Sequence, residues 1–152
     1  MTAKRILVAA TAVLLLTACE ATMAQQPRPT ERTLYQRLGG YDAIAAVTDD
    51  FIVRLASDAQ FSRFFAGFAT DSKARLRQHI VDQLCQAAGG PCFYVGRTMK
   101  VSHAGLGITE REWQAAATHL VASLDKFKVP AREKDQVVAF VVTLKPDIVE
   151  KP

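Results

Sequence analysis

The sequence lacks a stretch that reads as a stable membrane span, because its apolar run from Ile6 to Leu16 is too short to serve as one. It also lacks the C-x-x-C-H pattern, which excludes c-type attachment of a haem. Phosphate-cradling glycine patterns are missing, and no Ser/His/Asp arrangement stands out. No internal repeat is present, and nothing alternates convincingly as a strand pair. Beyond the leading segment no Lys/Arg cluster reads as a phosphate-backbone footprint, so nucleic acid is set aside as a partner. Cysteine is scarce: there are three.

The leading segment does carry an address. Lys4 and Arg5 precede the apolar run, and "LTAC" (Leu16 to Cys19) has the form of a bacterial lipobox. Residues 1–18 are then a signal peptide, and Cys19 becomes a lipid-bearing first residue. The alternative is ordinary cleavage after Ala24 with no lipid. Either cut predicts an exported, periplasmic protein, and the lipobox places it at a membrane surface. Removing residues 1–18 takes away two cations, so the formal charge of +4 drops to +2, and part of the high pI belongs to the discarded piece. Cys85 and Cys92 remain, in a compartment that permits a disulfide. Their spacing alone leaves open whether they pair.

Residues 19–32 are polar, Pro-containing and aperiodic, and read as a flexible tether. The folded domain is expected over residues 33–149, and its periodicity is helical throughout. A short helix meets a Gly39-Gly40 break, and a longer one presents Ile44, Val47, Phe51 and Leu55. Phe61, Phe64, Phe65 and Phe68 crowd the turn region that follows. A helix from about Ser72 to Ala88 ends at "GGPC". Thr109 and Glu112 form a capping box for a helix with a Trp113, Ala117, Leu120, Val121, Leu124, Phe127 stripe. Pro130 opens the last helix, which carries Val137, Val138, Val141 and Leu144. The fold class is all-α.

The histidines carry the chemistry. With Leu76 at zero and about 100° per residue, Ile80, Leu84 and Ala87 share a stripe, and His79 flanks it at about −60°. A lone imidazole there is ordinarily a core residue bonded to a carbonyl. His119 falls off the apolar stripe of its own helix and reads as solvated, with no role. His103 follows Met99 by four residues, just before a Gly-rich exit. A zinc site from His79, Cys85, Cys92 and His103 fits poorly, since Cys85 falls about 180° from Leu76. Two imidazoles on separate segments among Phe, Leu, Ile and Met suit a planar apolar cofactor with a central metal, and haem is the obvious one.

The ordered landmarks "LYQRLGG", Phe64-Phe65, "GGP", "GRTMKVSH" and "HAGLGIT" resemble the group I truncated haemoglobins, whose short globin packs two helices over two. The resemblance covers residues 33 to about 149. It implies non-covalent haem b, His103 as the proximal iron ligand, and Phe65 wedged against the haem. Tyr94 and Met99 would line the proximal side; Leu76, Ile80, Phe51 and Ile52 the distal side. Arg97 and Lys100 would pair with the propionates. One departure matters: the family commonly has Phe-Tyr where this chain has Phe51-Ile52, so the hydroxyl that donates to bound O₂ is missing. His79 then becomes a sixth ligand or a donor to a bound diatomic gas, with Gln83 a weaker donor. The function implied is binding of O₂, NO or CO. The alternatives are NO dioxygenation or a peroxidase-like reaction, and a bis-His electron-transfer or redox-sensing centre. Both would need a redox partner that the sequence does not identify.

Overall fold

The computed structural model describes residues 31–151. The signal peptide, the lipobox Cys19 and all but the last two residues of the tether lie outside the described residues. Seven helices follow in order: α1 (Leu34–Leu38), α2 (Tyr41–Ser57), α3 (Ser62–Phe65), α4 (Thr70–Ala87), α5 (Met99–His103), α6 (Glu110–Lys126) and α7 (Ala131–Ile148). A 3₁₀ turn, Ala59–Phe61, joins α2 to α3. Among the described residues the only β-type pairing is a single bridge between Thr109 and Lys151.

The boundaries follow local chemistry. Thr33 caps α1 by accepting from the Gln36 N–H, and Gly39 ends it in the left-handed region at φ 97°, where a Cβ would be strained. The expected Thr109–Glu112 box caps α6 from both directions. The observed α4 starts two residues before the expected helix and stops one short of it.

Helix α4 is buried on two sides. Its Val81 and Cys85 are fully buried and pack with Ile44 and Ala45 of α2, forming one core cluster. A second cluster joins Val47 of α2 to Leu120 and Leu124 of α6 and Val137 of α7. The Leu76–Ile80–Leu84 stripe instead faces a cavity. The Trp113 stripe of α6 runs out early: Leu124 is 2% exposed but Phe127 is 43% exposed, because α6 ends there.

Helices α2 and α6 are also tied by charge. Asp50 accepts from Lys126 Nζ at 2.5 Å, Arg54 Nε at 2.6 Å and Ser123 Oγ at 2.8 Å. Those donors, Lys126 first, hold its carboxyl well below the ordinary carboxylate range. A depressed folded pKa stabilises fully above the unfolded value, near 4, and that contribution is lost as pH falls through the folded value. Asp50→Asn is therefore expected to lower the melting temperature at pH 7 and to flatten its decline below about pH 4. Thermal melts by circular dichroism across pH 2–7 would show it; parallel pH profiles for variant and wild type would remove Asp50 from the acid limb.

Candidate functional site

A cavity of about 670 Å³ opens between α2, α4, α5, α6 and α7, a size suited to a small-molecule cofactor. Its wall is largely apolar: Phe51 and Ile52 come from α2, Phe65 from α3, Leu76 and Ile80 from α4, and Trp113 from α6. His79, Gln83, Tyr94, Arg97, Met99 and His103 also line it. Lys100 is exposed and is not part of the lining, so one of the two expected propionate partners stands off the wall, on the solvent side of α5.

The two histidines have opposite surroundings. His103 Nδ1 lies 2.8 Å from the carbonyl oxygen of Met99, one turn back along α5. A carbonyl can only accept, so this nitrogen carries the proton and Nε2 of the neutral ring is left as a lone-pair donor. The contact also fixes the ring's orientation, as a carbonyl partner does for histidine ligands. His79 Nδ1 is buried and has no hydrogen-bond partner. A buried polar atom without a partner is costly, and none of the described residues supplies one here. The expectation that His79 is a core residue bonded to a carbonyl does not describe this nitrogen.

Tyr94 touches both sides of the cavity. Its ring meets His79 edge-on, with centroids 6.0 Å apart, while its hydroxyl donates to the Arg97 carbonyl at 2.6 Å. Burial pushes the phenol's pKa up, keeping the hydroxyl protonated. The sequence reading puts Tyr94 on the His103 side alone. The segment between α4 and α5 draws it across instead, because the Tyr94 N–H donates to Gln86 Oε1 at 2.6 Å and Cys92 is bonded to Cys85. Those two cysteines have Cα atoms 5.8 Å apart, within the range a disulfide spans. Cys85 lies in the α2–α4 core, well placed for that bridge and turned from the His79 face.

The loop after His103 is held from two directions. Glu150 accepts from the N–H groups of Gly105 at 2.6 Å and Gly107 at 2.5 Å, which lowers its pKa. Arg63 donates to the Leu106 carbonyl at 2.6 Å and to the Glu112 carboxylate at 2.8 Å, and its guanidinium stacks on Phe64. Arg63 and Glu150 carry no signal in the sequence, because their partners lie more than 40 residues away. Only the capping box singled out Glu112.

His119 requires a correction. It is only partly exposed: Nε2 lies 2.8 Å from Asp58 Oδ2, and its ring sits edge-on to Phe61. Periodicity leaves the far side of α6 facing water, whereas the 3₁₀ turn after α2 covers part of it. His119 does not line the cavity.

Residues 33–150 match the bacterial-like globin family. The group 1 truncated haemoglobin GlbN of Mycolicibacterium paratuberculosis is 34% identical over 116 residues, covering 76% of this chain and 83% of that one. GlbN of Nostoc sp. is 36% identical over 119 residues, covering 78% and 98%. Among solved structures, the 2/2 haemoglobin of Synechococcus sp. aligns with a TM-score of 0.70 at 29% identity, covering 78% of this chain and 98% of that one. The truncated haemoglobin of Tetrahymena pyriformis aligns at 0.71 and 25%, covering 79% and 100%. With the cavity, the helix order and these matches in agreement, the chain belongs to the bacterial-like globin family, as a truncated globin of group 1.

Proposed function

We propose that this globin binds a diatomic gas, O₂, NO or CO, at non-covalently held haem whose iron is ligated by His103, and that it does so outside the cytoplasm. Haem b is the cofactor, and the residues present fit it. The wall is apolar, one imidazole nitrogen is free as a lone-pair donor, and another is buried without a partner. The observation that carries the reading is His103, whose Nδ1 is committed to the Met99 carbonyl so that Nε2 is free to ligate.

When bound, haem supplies an iron atom with one further position for the gas. The chain's own residues set what happens around that position. Phe51, Ile52, Leu76 and Ile80 bring no hydroxyl, exclude water and offer a bound gas no hydrogen bond. His79 and Gln83, on the cavity face of α4 beside Ile80, are able to donate one, and Ser72 and Arg75 of the same helix also line the cavity. Arg97 lines the cavity while exposed to solvent, as a partner for a propionate would. Tyr94 braces His79 from the side.

A second reading follows from the unpartnered His79 nitrogen: His79 is the sixth ligand at rest, and the centre transfers electrons or senses redox state. Absorption spectra of the ferric, ferrous and CO-bound forms, on wild type and His79→Ala, test both. A Soret band that shifts with CO is expected, and a purified chain without one after expression with adequate haem would end the gas-binding proposal. A low-spin ferric spectrum that turns high-spin in His79→Ala would support the second reading. A high-spin spectrum unchanged by the substitution would remove it.

Export and a lipid on Cys19 complete the proposal, supported by Lys4, Arg5, the apolar run and "LTAC". The mass of the mature N-terminus distinguishes an acylated Cys19 from cleavage after Ala24.

A further inference from the structure

The segment between α4 and α5 turns large apolar side chains outward. Phe93 is 81% exposed and Val95 80% exposed, with Tyr94 between them pointing into the cavity, and Val101 on α5 is 58% exposed. Slack in the chain does not explain this. Cys92 is bonded to the fully buried Cys85, the Tyr94 N–H is held by Gln86, and the Tyr94 hydroxyl is held by the Arg97 carbonyl. The backbone on either side of Phe93 is therefore held from Cys92 and Tyr94. Arg97 and Lys100 are exposed on the same stretch, and no Asp or Glu occurs from Gly89 to Thr109.

The start of the described chain lies against this segment. The Tyr35 N–H donates to the Ala88 carbonyl at 2.8 Å, and a Cβ placed on Gly89 would meet Thr33 Cβ at 3.4 Å. Thr33 and Tyr35 therefore pass the base of the Phe93 loop, while Glu31, the first described residue, accepts from Arg132 of α7 at 2.5 Å. From Cys19 to Glu31 the chain can span at most about 40 Å.

We propose that Phe93, Val95 and Val101, flanked by Arg97 and Lys100, form a second membrane contact that seats the cavity rim on an anionic phospholipid surface. The proposal rests on Cys19 being the lipid anchor. Apolar tips that enter the acyl boundary beside cations that meet headgroup phosphates are the pattern of interfacial binding. A single weak contact of this kind becomes effective when a tether already holds it near the bilayer.

The test uses the full chain, processed in a bacterium, loaded with haem and returned to phosphatidylethanolamine/phosphatidylglycerol vesicles that carry a diazirine on an acyl chain. Photolabel is mapped by mass spectrometry, and the mass of the mature N-terminus is read from the same sample. Label at Phe93–Val95 is expected, and Phe93→Ser/Val95→Ser should cut it about tenfold without changing the Soret band or the N-terminal label. Label confined to residues 19–30 would overturn the contact while leaving the anchor intact. An unacylated chain still labelled at Phe93–Val95 would end the anchor and overturn the contact as a second, tethered one. An unacylated chain that does not float with vesicles would end both. A dimer in sedimentation that the double variant makes monomeric, with the loop unlabelled, would overturn the contact in favour of self-association.

Discussion

His103→Gly should purify with its Soret absorbance per mole of protein reduced at least tenfold, equivalent to about 1.4 kcal/mol or more of lost haem affinity. His103 closes the single turn of α5, where the Met99 carbonyl holds Nδ1 and leaves Nε2 with the lone pair that the proposed ligation requires. Glu150 and Arg63 fix the loop beyond, so the helix end is positioned from both the C-terminus and α3. Glycine removes the ligand but leaves this frame, since the Glu150 and Arg63 bonds run to backbone atoms and to Glu112. Free imidazole should then enter the vacated space and restore pigment uptake. That rescue separates a missing ligand from a misfolded chain. A variant that stays red without imidazole, in the His79→Ala background as well, would show that the axial nitrogen comes from elsewhere.

How far the sequence discloses this architecture depends on the range of each interaction. Helix ends are legible because their signals are local: Gly39, Thr109 with Glu112, and Pro130 each act within a turn of their own position. Most of the cavity wall is legible because apolar positions recur at helical spacing. What periodicity cannot say is what lies opposite a face. In α4, one apolar stripe faces the cavity while Val81 and Cys85, on the other flank, complete the core with α2. His119 is misread for the same reason: the covering residues, Asp58 and Phe61, lie some sixty positions away. Glu150 and Arg63 leave no sequence signal, since an exposed-looking carboxylate near the C-terminus and an arginine beside two phenylalanines acquire meaning only when the chain brings the α5–α6 loop to them. The outward Phe93 and Val95 are visible as residues, but their exposure becomes apparent only once Cys92 and Tyr94 are seen to pin the backbone between them.

Ile52→Tyr should slow O₂ dissociation about ten- to a hundredfold, while CO dissociation changes far less. The expectation follows from the polarity of the gases. Bound O₂ carries partial negative charge, so a phenol that donates to it contributes about 1.5–3 kcal/mol. That range corresponds to about one to two decades in affinity, which appears mainly in the off-rate. CO is much less polarised when bound and gains little from the same donor. Ile52 lies on the cavity wall of α2 beside Phe51, and the surrounding positions Leu76 and Ile80 bring no donor of their own. Ile52 belongs to neither core cluster, so the substitution is made on the cavity wall and not within the packed core. His79 sets the size of the effect. If its imidazole already donates to the gas, the tyrosine adds to an existing bond, and the gain is larger in His79→Ala than in wild type. If His79 instead occupies the gas position at rest, Ile52→Tyr leaves the binding rate limited by its departure, and His79→Ala speeds binding in either background. Flash photolysis and stopped-flow measurements on the four combinations distinguish these cases. An O₂ off-rate unmoved by the tyrosine in both backgrounds would mean that residue 52 does not face the bound gas, and the assignment of the α2 wall to the distal side would fall with it.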